Sequence, residues 1–490
     1  MRAIVLTFDR LPAHLLSCLG NEWIETPEFD RLAAHSRVFE QHYVEIPSPA
    51  GPAHPWWTGK LEFFRPEADG DTRSEHDRAL TPMHRLREAG VDCRLISERL
   101  EGLPCELFQE SREVAGQNGL QVDLNEVPFA RLVEAAVTQL QAADSKTESA
   151  LLWLHSAGVP DEWIPPQFFA ELYLEELDEE VAEPEDSEFE DEVPLDPLTL
   201  ASVAARDFLT DCLDQPGLLE AVFCEQFFAD SEDEVESSDL SEDSDNAERI
   251  PDFAHGQKDS ASDNDAVEDD ELLDSDPGTT QLLRRTSKLV CGGYVSLLDH
   301  WLGKLRTAIG DPTEPTLLVV STAHGMAFGE REQLGHAVSN QAAIELQDAL
   351  VKTPLLVWRS DAKGFGSRHQ ELRQTVDLPL TLLDWFGLAS DTEKRHSLNA
   401  VATRDGGREQ VFHLSPDGAI GVRDTRHLLA VDSLSALRGE PDDSDEQSAS
   451  RGLFVKPSDL WNIFDTANQD ENEVARLTEL LKGRLPPASL

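Results

Sequence analysis

Positive charge is what this chain has least of for its size. Its 490 residues carry 41 Lys and Arg against 95 Asp and Glu, a formal net charge of -54. Unaided nucleic-acid binding is disfavoured, because affinity for a phosphate backbone comes from lysine and arginine displacing counterions. An anionic membrane surface is disfavoured on the same ground. No apolar run in the sequence approaches the roughly 18 residues that a membrane-spanning helix needs. A basic stretch followed by an apolar one is also missing from the first residues, so the chain as written is expected in the cytoplasm. The six cysteines, at 18, 93, 105, 212, 224 and 291, lack C-x-x-C or metal-ligand spacing, which fits reduced and mostly buried thiols.

What is present is an α/β pattern. Ile4-Val5-Leu6-Thr7-Phe8-Asp9 reads as a short buried strand ending in a carboxylate. After Thr26-Pro27, the apolar residues Phe29, Leu32 and Ala33 recur at helical spacing. Strands alternate with helices from 1 to about 160 and again from 287 to 390, which predicts a mostly parallel sheet covered on both faces. Two acidic stretches, 174–192 and 229–277, interrupt this order, and the second has the composition of a disordered segment. Between them Leu209 and Leu213, then Leu218, Leu219, Val222 and Phe223, fall at helical spacing on either side of Pro216-Gly217. One or two helices are predicted there.

The order of strand, Asp9, Cys18-Leu19-Gly20-Asn21 and Ile24-Glu25-Thr26-Pro27-Glu28-Phe29-Asp30-Arg31-Leu32-Ala33 resembles the opening of the sulfatase family of the alkaline phosphatase superfamily. The resemblance continues through 85–91, 151–155, 163–166, 294–303, 317–325, 329–336, 353–358 and 376–384. Near the C-terminus, 421–429, 459–465 and a last helix over 472–485 resemble the family's small antiparallel subdomain. The implied architecture is an alkaline-phosphatase-like sandwich over 1–400, with a central mostly parallel mixed sheet flanked by helices. A small α+β subdomain comes after it over 401–490.

The family mechanism implied by the resemblance uses a cysteine of a C-x-P-x-R motif, converted to formylglycine. Its hydrate attacks sulfur while a divalent cation, usually calcium, polarises the ester. Asp9 matches the first-strand metal carboxylate, and Ala323-His324 lies where the family has Asp-His, which makes His324 the second metal candidate. Thr58-Gly59-Lys60 matches the end of the nucleophile segment, His336 a basic sulfate-contacting position, and His155 the start of the substrate loop. Lys60, His336, His155 and His54 are therefore the substrate-binding candidates.

The nucleophile is missing. Either Ala50-Gly51-Pro52-Ala53-His54 lies over the motif or Pro49 takes the cysteine's place, and neither alignment supplies Cys, Ser, Thr or the arginine. No formylglycine can form at either position. Ser48 is the nearby hydroxyl, and it would need the loop to shift. Plainer readings stand beside these: Asp9 as an ordinary strand-end helix cap, His324 and His336 as hydrogen-bonded histidines, and Ser48 as a loop residue. Trp56-Trp57 reads as core, and the acidic stretches as solvated loops.

The expected function is a binding or regulatory protein descended from a metal-dependent sulfate-ester hydrolase. It would hold calcium or magnesium weakly at Asp9 and His324 and grip an anionic ester. One alternative is a working sulfate- or phosphate-ester hydrolase whose lost carboxylate comes from Asp161 or Glu330. Another is an acidic scaffold for a basic protein partner.

Overall fold

The computed structural model describes residues 1–46, 55–61, 81–119, 121–142, 149–160, 165–173, 277–328, 334–335, 346–362, 366–399, 407–415, 418–433, 437 and 451–484. Ser48, His54, Asp161, Glu330 and His336 lie outside them, as do the expected helices over 197–228 and both acidic stretches up to residue 276. The chain divides into two units, Met1–Ser187 with Arg284–Leu490, and Glu188–Leu283. The first unit holds every described strand.

Eight strands form the main sheet. They are β1 (Arg2–Arg10), β2 (Ser36–Phe39), β4 (Asp92–Ser97), β5 (Glu110–Glu113), β6 (Ala150–Gly158), β7 (Thr316–His324), β10 (Leu355–Arg359) and β11 (Ser367–His369). The spatial order is β11-β2-β10-β7-β1-β6-β4-β5. Only β10 runs against the others, pairing antiparallel with β2 and β7. β1 and β7 are near-continuous buried runs, as expected for parallel strands covered on both faces. On one face Val5, Leu95, Trp153 and Val319 pack with Trp56 and Trp57, whose rings are the core residues that the sequence predicts. On the other, Phe8 meets Phe129 of the helix Pro128–Ala142 with ring centroids 5.4 Å apart.

The helix predicted after Thr26 spans Pro27–Ala33, with Pro at its start. Thr26 occupies the N-cap position without capping; its hydroxyl is bonded to that of Ser17 at 2.5 Å. The free amides go instead to Asp299, which accepts from the backbone N–H groups of Glu28 at 2.9 Å and Phe29 at 2.8 Å. Asp299 lies on the long helix Pro277–Ile309, so the cap comes from 271 residues away. Burial lifts the Asp299 carboxyl to about 6, although the two N–H bonds pull the other way.

A second sheet is an antiparallel meander of β13 (Val411–Leu414), β14 (Ile420–Arg423), β15 (His427–Val431) and β16 (Arg451–Val455). Leu477 and Leu481 of the helix Glu471–Lys482 pack on Ile420, Val422 and Leu429. This helix starts one residue before the expected position and stops three residues short of it. Two-stranded pairs, β12 (Arg373–Gln374) with β3 (His42–Tyr43) and β8 (Ala327–Phe328) with β9 (Leu334–Gly335), complete the described sheets.

The meander meets the rest of the fold through backbone bonds, a shared apolar cluster and one buried carboxylate. Asp348 accepts from Arg423 Nη1 at 2.6 Å and Nη2 at 3.1 Å, and from Lys456 Nζ at 2.8 Å. All three side chains are buried, so two cations share one counter-charge. Arg423 also lies 4.0 Å from the centre of the Tyr43 ring. Burial opposes ionisation of Asp348, yet Arg423 and Lys456 together hold it down at about 2. Asp348→Asn is expected to cost about 3–5 kcal/mol, since it strands two buried charges. Urea unfolding of the variant beside an exposed control, Asp391→Asn, measures this. A loss near that of the control would mean that the cations find compensation elsewhere.

Candidate functional site

The polar chemistry of the main sheet gathers at the carboxyl ends of β1, β4 and β6, where open α/β sheets carry their ligands. Alternation along β1 puts Thr7 and Asp9 on one face, and register sets Thr7 beside His155 of β6. Thr7 Oγ1 and His155 Nδ1 are 3.0 Å apart, Trp153 Nε1 donates to Thr7 Oγ1 at 2.9 Å, and the same hydroxyl reaches the Leu154 carbonyl at 3.3 Å. The other ring nitrogen, Nε2, stands 3.2 Å from Asp9 Oδ1 as an ion-pair approach, not an aligned hydrogen bond. Burial opposes the charge on Asp9, but His155 first, then Arg99 and Arg10, outweigh it and hold the carboxyl below its ordinary range. An ionised carboxylate only accepts, so the His155 proton faces it at Nε2.

Glu98, just past the end of β4, completes the arrangement. Its oxygens accept from Ser156 Oγ at 2.6 Å and from the Ala157 N–H at 2.9 Å, while its own N–H donates to the His155 carbonyl at 3.2 Å. Burial raises the Glu98 carboxyl to about 7 against those two bonds and the nearby His155. Asp9, Glu98, Arg99, Glu101 and His155 line a cleft with Ser97, Leu103 and Ala157. β1 and β6 approach so closely beside it that a Cβ on Gly158, which sits at φ +70°, would lie 2.0 Å from the Arg10 carbonyl oxygen.

Sequence reasoning reached Asp9 and His155 but missed Glu98, Arg99 and Glu101. The available signal was the polar run Ser97-Glu98-Arg99 closing a buried apolar strand. The other described candidates lie apart from the cleft. Lys60 is exposed after the short helix Pro55–Thr58 and is not among the lining residues. His324 is buried at the end of β7, opposite Arg10 in register, with Nδ1 2.9 Å from the Gly325 carbonyl oxygen. Ala323, at the expected carboxylate position, belongs to the tryptophan-rich core.

A hard divalent cation takes about six to eight oxygen ligands. Among the described residues, Asp9 and His324 belong to no cluster of three ligand side chains, and Asp9 is engaged by His155. The described donor set therefore does not fit such an ion at Asp9. The one cluster among the described residues is Asp424, His427 and Glu473, with ligand atoms within 4.8 Å of one another, on the meander and its helix. Arg476 already engages both of its carboxylates, bonding Asp424 and holding Glu473 through Nε at 2.9 Å.

The Glu98 carboxyl makes a pH prediction with a definite sign. A carboxyl raised from 4.5 to about 7 favours the folded state fully below its unfolded value, and that contribution is lost as pH rises through the folded value. Wild-type stability is expected to fall between about pH 5 and pH 8 relative to Glu98→Gln, because only the wild type has this proton to lose. Urea midpoints across that range check it, with the titration of Asp9, Asp299 and the acidic stretches common to both proteins. Parallel curves would contradict the expectation.

No protein-family profile and no curated protein sequence matches this chain. Solved structures do. A protein in complex with its substrate D-glucosamine-2-N,6-O-disulfate aligns at 15% identity over 98% of this chain and 96% of the other, with a TM-score of 0.62. A phosphonate monoester hydrolase of Agrobacterium radiobacter aligns at 14% identity over 98% and 94%, with a TM-score of 0.57. A 2-O glycosaminoglycan sulfatase aligns at 13% identity over 98% and 90%, also with a TM-score of 0.57. At such identities the likeness is one of fold, and a fold hosts many chemistries. The coverage of nearly the whole of both chains shows that this chain has a sulfatase-like fold.

Proposed function

We propose that this protein is a sulfatase-fold member whose hydrolytic centre has been dismantled, and that it acts as a non-catalytic binding or regulatory protein. The observation that carries the reading is the internal pairing of Asp9. Its carboxylate is faced by His155 at 3.2 Å, and His155 is anchored by Thr7 at 3.0 Å. The nucleophile positions hold Pro49 or Ala50, neither of which has nucleophilic chemistry. Among the described residues, no converging ligands replace the lost carboxylate beside Asp9. The resemblance supplies the ligand class, an anionic ester held by Lys60 with His54 and His336. No described helix is long and apolar enough to cross a membrane.

A second reading, a rebuilt ester hydrolase, draws support from one observation. Glu98 titrates at about 7 beside a carboxylate–imidazole pair in the same cleft, a property shared by general acids and bases. Turnover separates the two readings. With p-nitrophenyl sulfate and p-nitrophenyl phosphate, in calcium or magnesium, the wild type is expected to release no more nitrophenol than Asp9→Asn. The sulfate ester is expected to raise the melting temperature without being cleaved, and Lys60→Ala to abolish that rise. Release above the Asp9→Asn background that also disappears in Glu98→Gln would establish the hydrolase instead.

A further inference from the structure

Five of the eight large apolar side chains exposed among the described residues lie within a single ten-residue stretch. They are Val455, Leu460, Trp461, Ile463 and Phe464. Trp461 is 40% exposed, Ile463 53% and Phe464 72%. Scattered apolar residues on a surface need no explanation, but a concentration of them marks an interaction site.

The backbone that presents them is fixed from beneath. Buried Lys456 donates to Asp348 Oδ1 at 2.8 Å, to the Asp459 carbonyl at 2.5 Å and to Asn462 Oδ1 at 2.6 Å. The Asp459 carboxylate accepts the N–H groups of Ile463 and Phe464, each at 2.9 Å. The Leu460 carbonyl accepts from the Asp348 N–H at 2.9 Å. Asn462 adopts φ +54°, a left-handed conformation that asparagine tolerates. A segment tied down by this many buried bonds holds its apolar side chains outward and cannot easily turn them in.

Charge says what covers them. From Val455 to Ala475 the one basic residue is Lys456, which is buried, while Asp465, Asp470 and Glu471 are exposed. Within the segment itself the exposed charged side chains are therefore all acidic. The exposed Arg426, whose carbonyl accepts from the Lys456 N–H at 2.7 Å, is a basic neighbour from the turn before β15. A second copy would bring a further formal charge of -54, and the chain's own acidic stretches would bring the same sign. An anionic bilayer is repelled likewise. The complementary occupant pairs apolar side chains with cations, as a basic amphipathic helix does.

We infer that segment 455–471 is a docking surface for a basic amphipathic helix of a partner protein. The apolar face of that helix covers Trp461, Ile463 and Phe464, and its lysines or arginines face Asp465, Asp470 and Glu471. None of its residues lines the Asp9 cleft.

The test uses the full-length chain and a fluorescein-labelled amphipathic helix of Leu and Lys as probe, monitored by anisotropy. A triple variant, Trp461→Ser with Ile463→Ser and Phe464→Ser, keeps the net charge, so adsorption to the acidic stretches is common to both proteins. The variant is expected to bind at least about tenfold more weakly, the loss typical of removing central apolar anchors. Glu471→Lys keeps the apolar residues and should both weaken binding and flatten its salt dependence. Equal affinity in wild type and both variants would overturn the inference. So would a wild-type dimer in sedimentation that the triple variant abolishes, which would make the occupant a second copy. Cosedimentation with phosphatidylcholine–phosphatidylserine vesicles that the triple variant loses, without a change in peptide affinity, would make it a membrane.

Discussion

β1 is buried on both faces between two parallel neighbours, and a polar side chain on such a strand must find its partner inside the protein. Thr7 finds Trp153 and His155, and Asp9 finds His155. Thr7 is thus hydrogen-bonded, whereas Asp9 Oδ1 has the imidazole beside it only as an ion-pair approach. The same rule operates at Asp348, where one carboxylate makes the burial of Arg423 and Lys456 tolerable and so ties the meander to the main sheet.

This constraint also separates what the fold can host from what these residues provide. A hard cation at the end of β1 would need several oxygens turned toward it. Here the carboxylate meets an imidazole, the position on β7 that the resemblance aligns with the family's Asp is a buried alanine, and Glu98 in the same cleft is occupied with Ser156 and Ala157. The cleft mixes three carboxyls with Arg99 and His155, a different electrostatic character from an anion-gripping pocket. The other notable surface, the apolar run around Trp461, is held in place by the Asp348 cluster. One buried charge network therefore serves both as a structural joint and as the support of a presentation surface.

Much of the architecture was legible along the chain. The apolar run after Ile4, the helix after Thr26-Pro27 and the strand closing on Ala323-His324 all occur where spacing and resemblance put them. β13 and β16 were not anticipated. Each has only four or five residues, and β16 opens with Arg451-Gly452 after a polar stretch, so neither shows a clear period. Glu98 escaped for a related reason. Ser-Glu-Arg after a strand reads as an ordinary loop, and the partner that buries it, Ser156, is 58 residues away.

The sequence by itself determined the alternation of strands and helices, because apolar periods and punctuating Thr-Pro and Gly positions are local properties. The particular fold was legible only through the resemblance carried by residues 4–33 and the later segments. The sequence also determined that Pro49 and Ala50 stand at the positions that the resemblance aligns with the family's nucleophile, which is a matter of residue identity. Only the tertiary structure decided that His155 faces Asp9, that Glu98 is raised to about 7, and that Asp299 caps a helix whose own Thr26 does not. Desolvation and Coulomb energies depend on burial and on distance through space. Partners 146 or 271 residues apart in the chain become neighbours only once the sheet has closed around them.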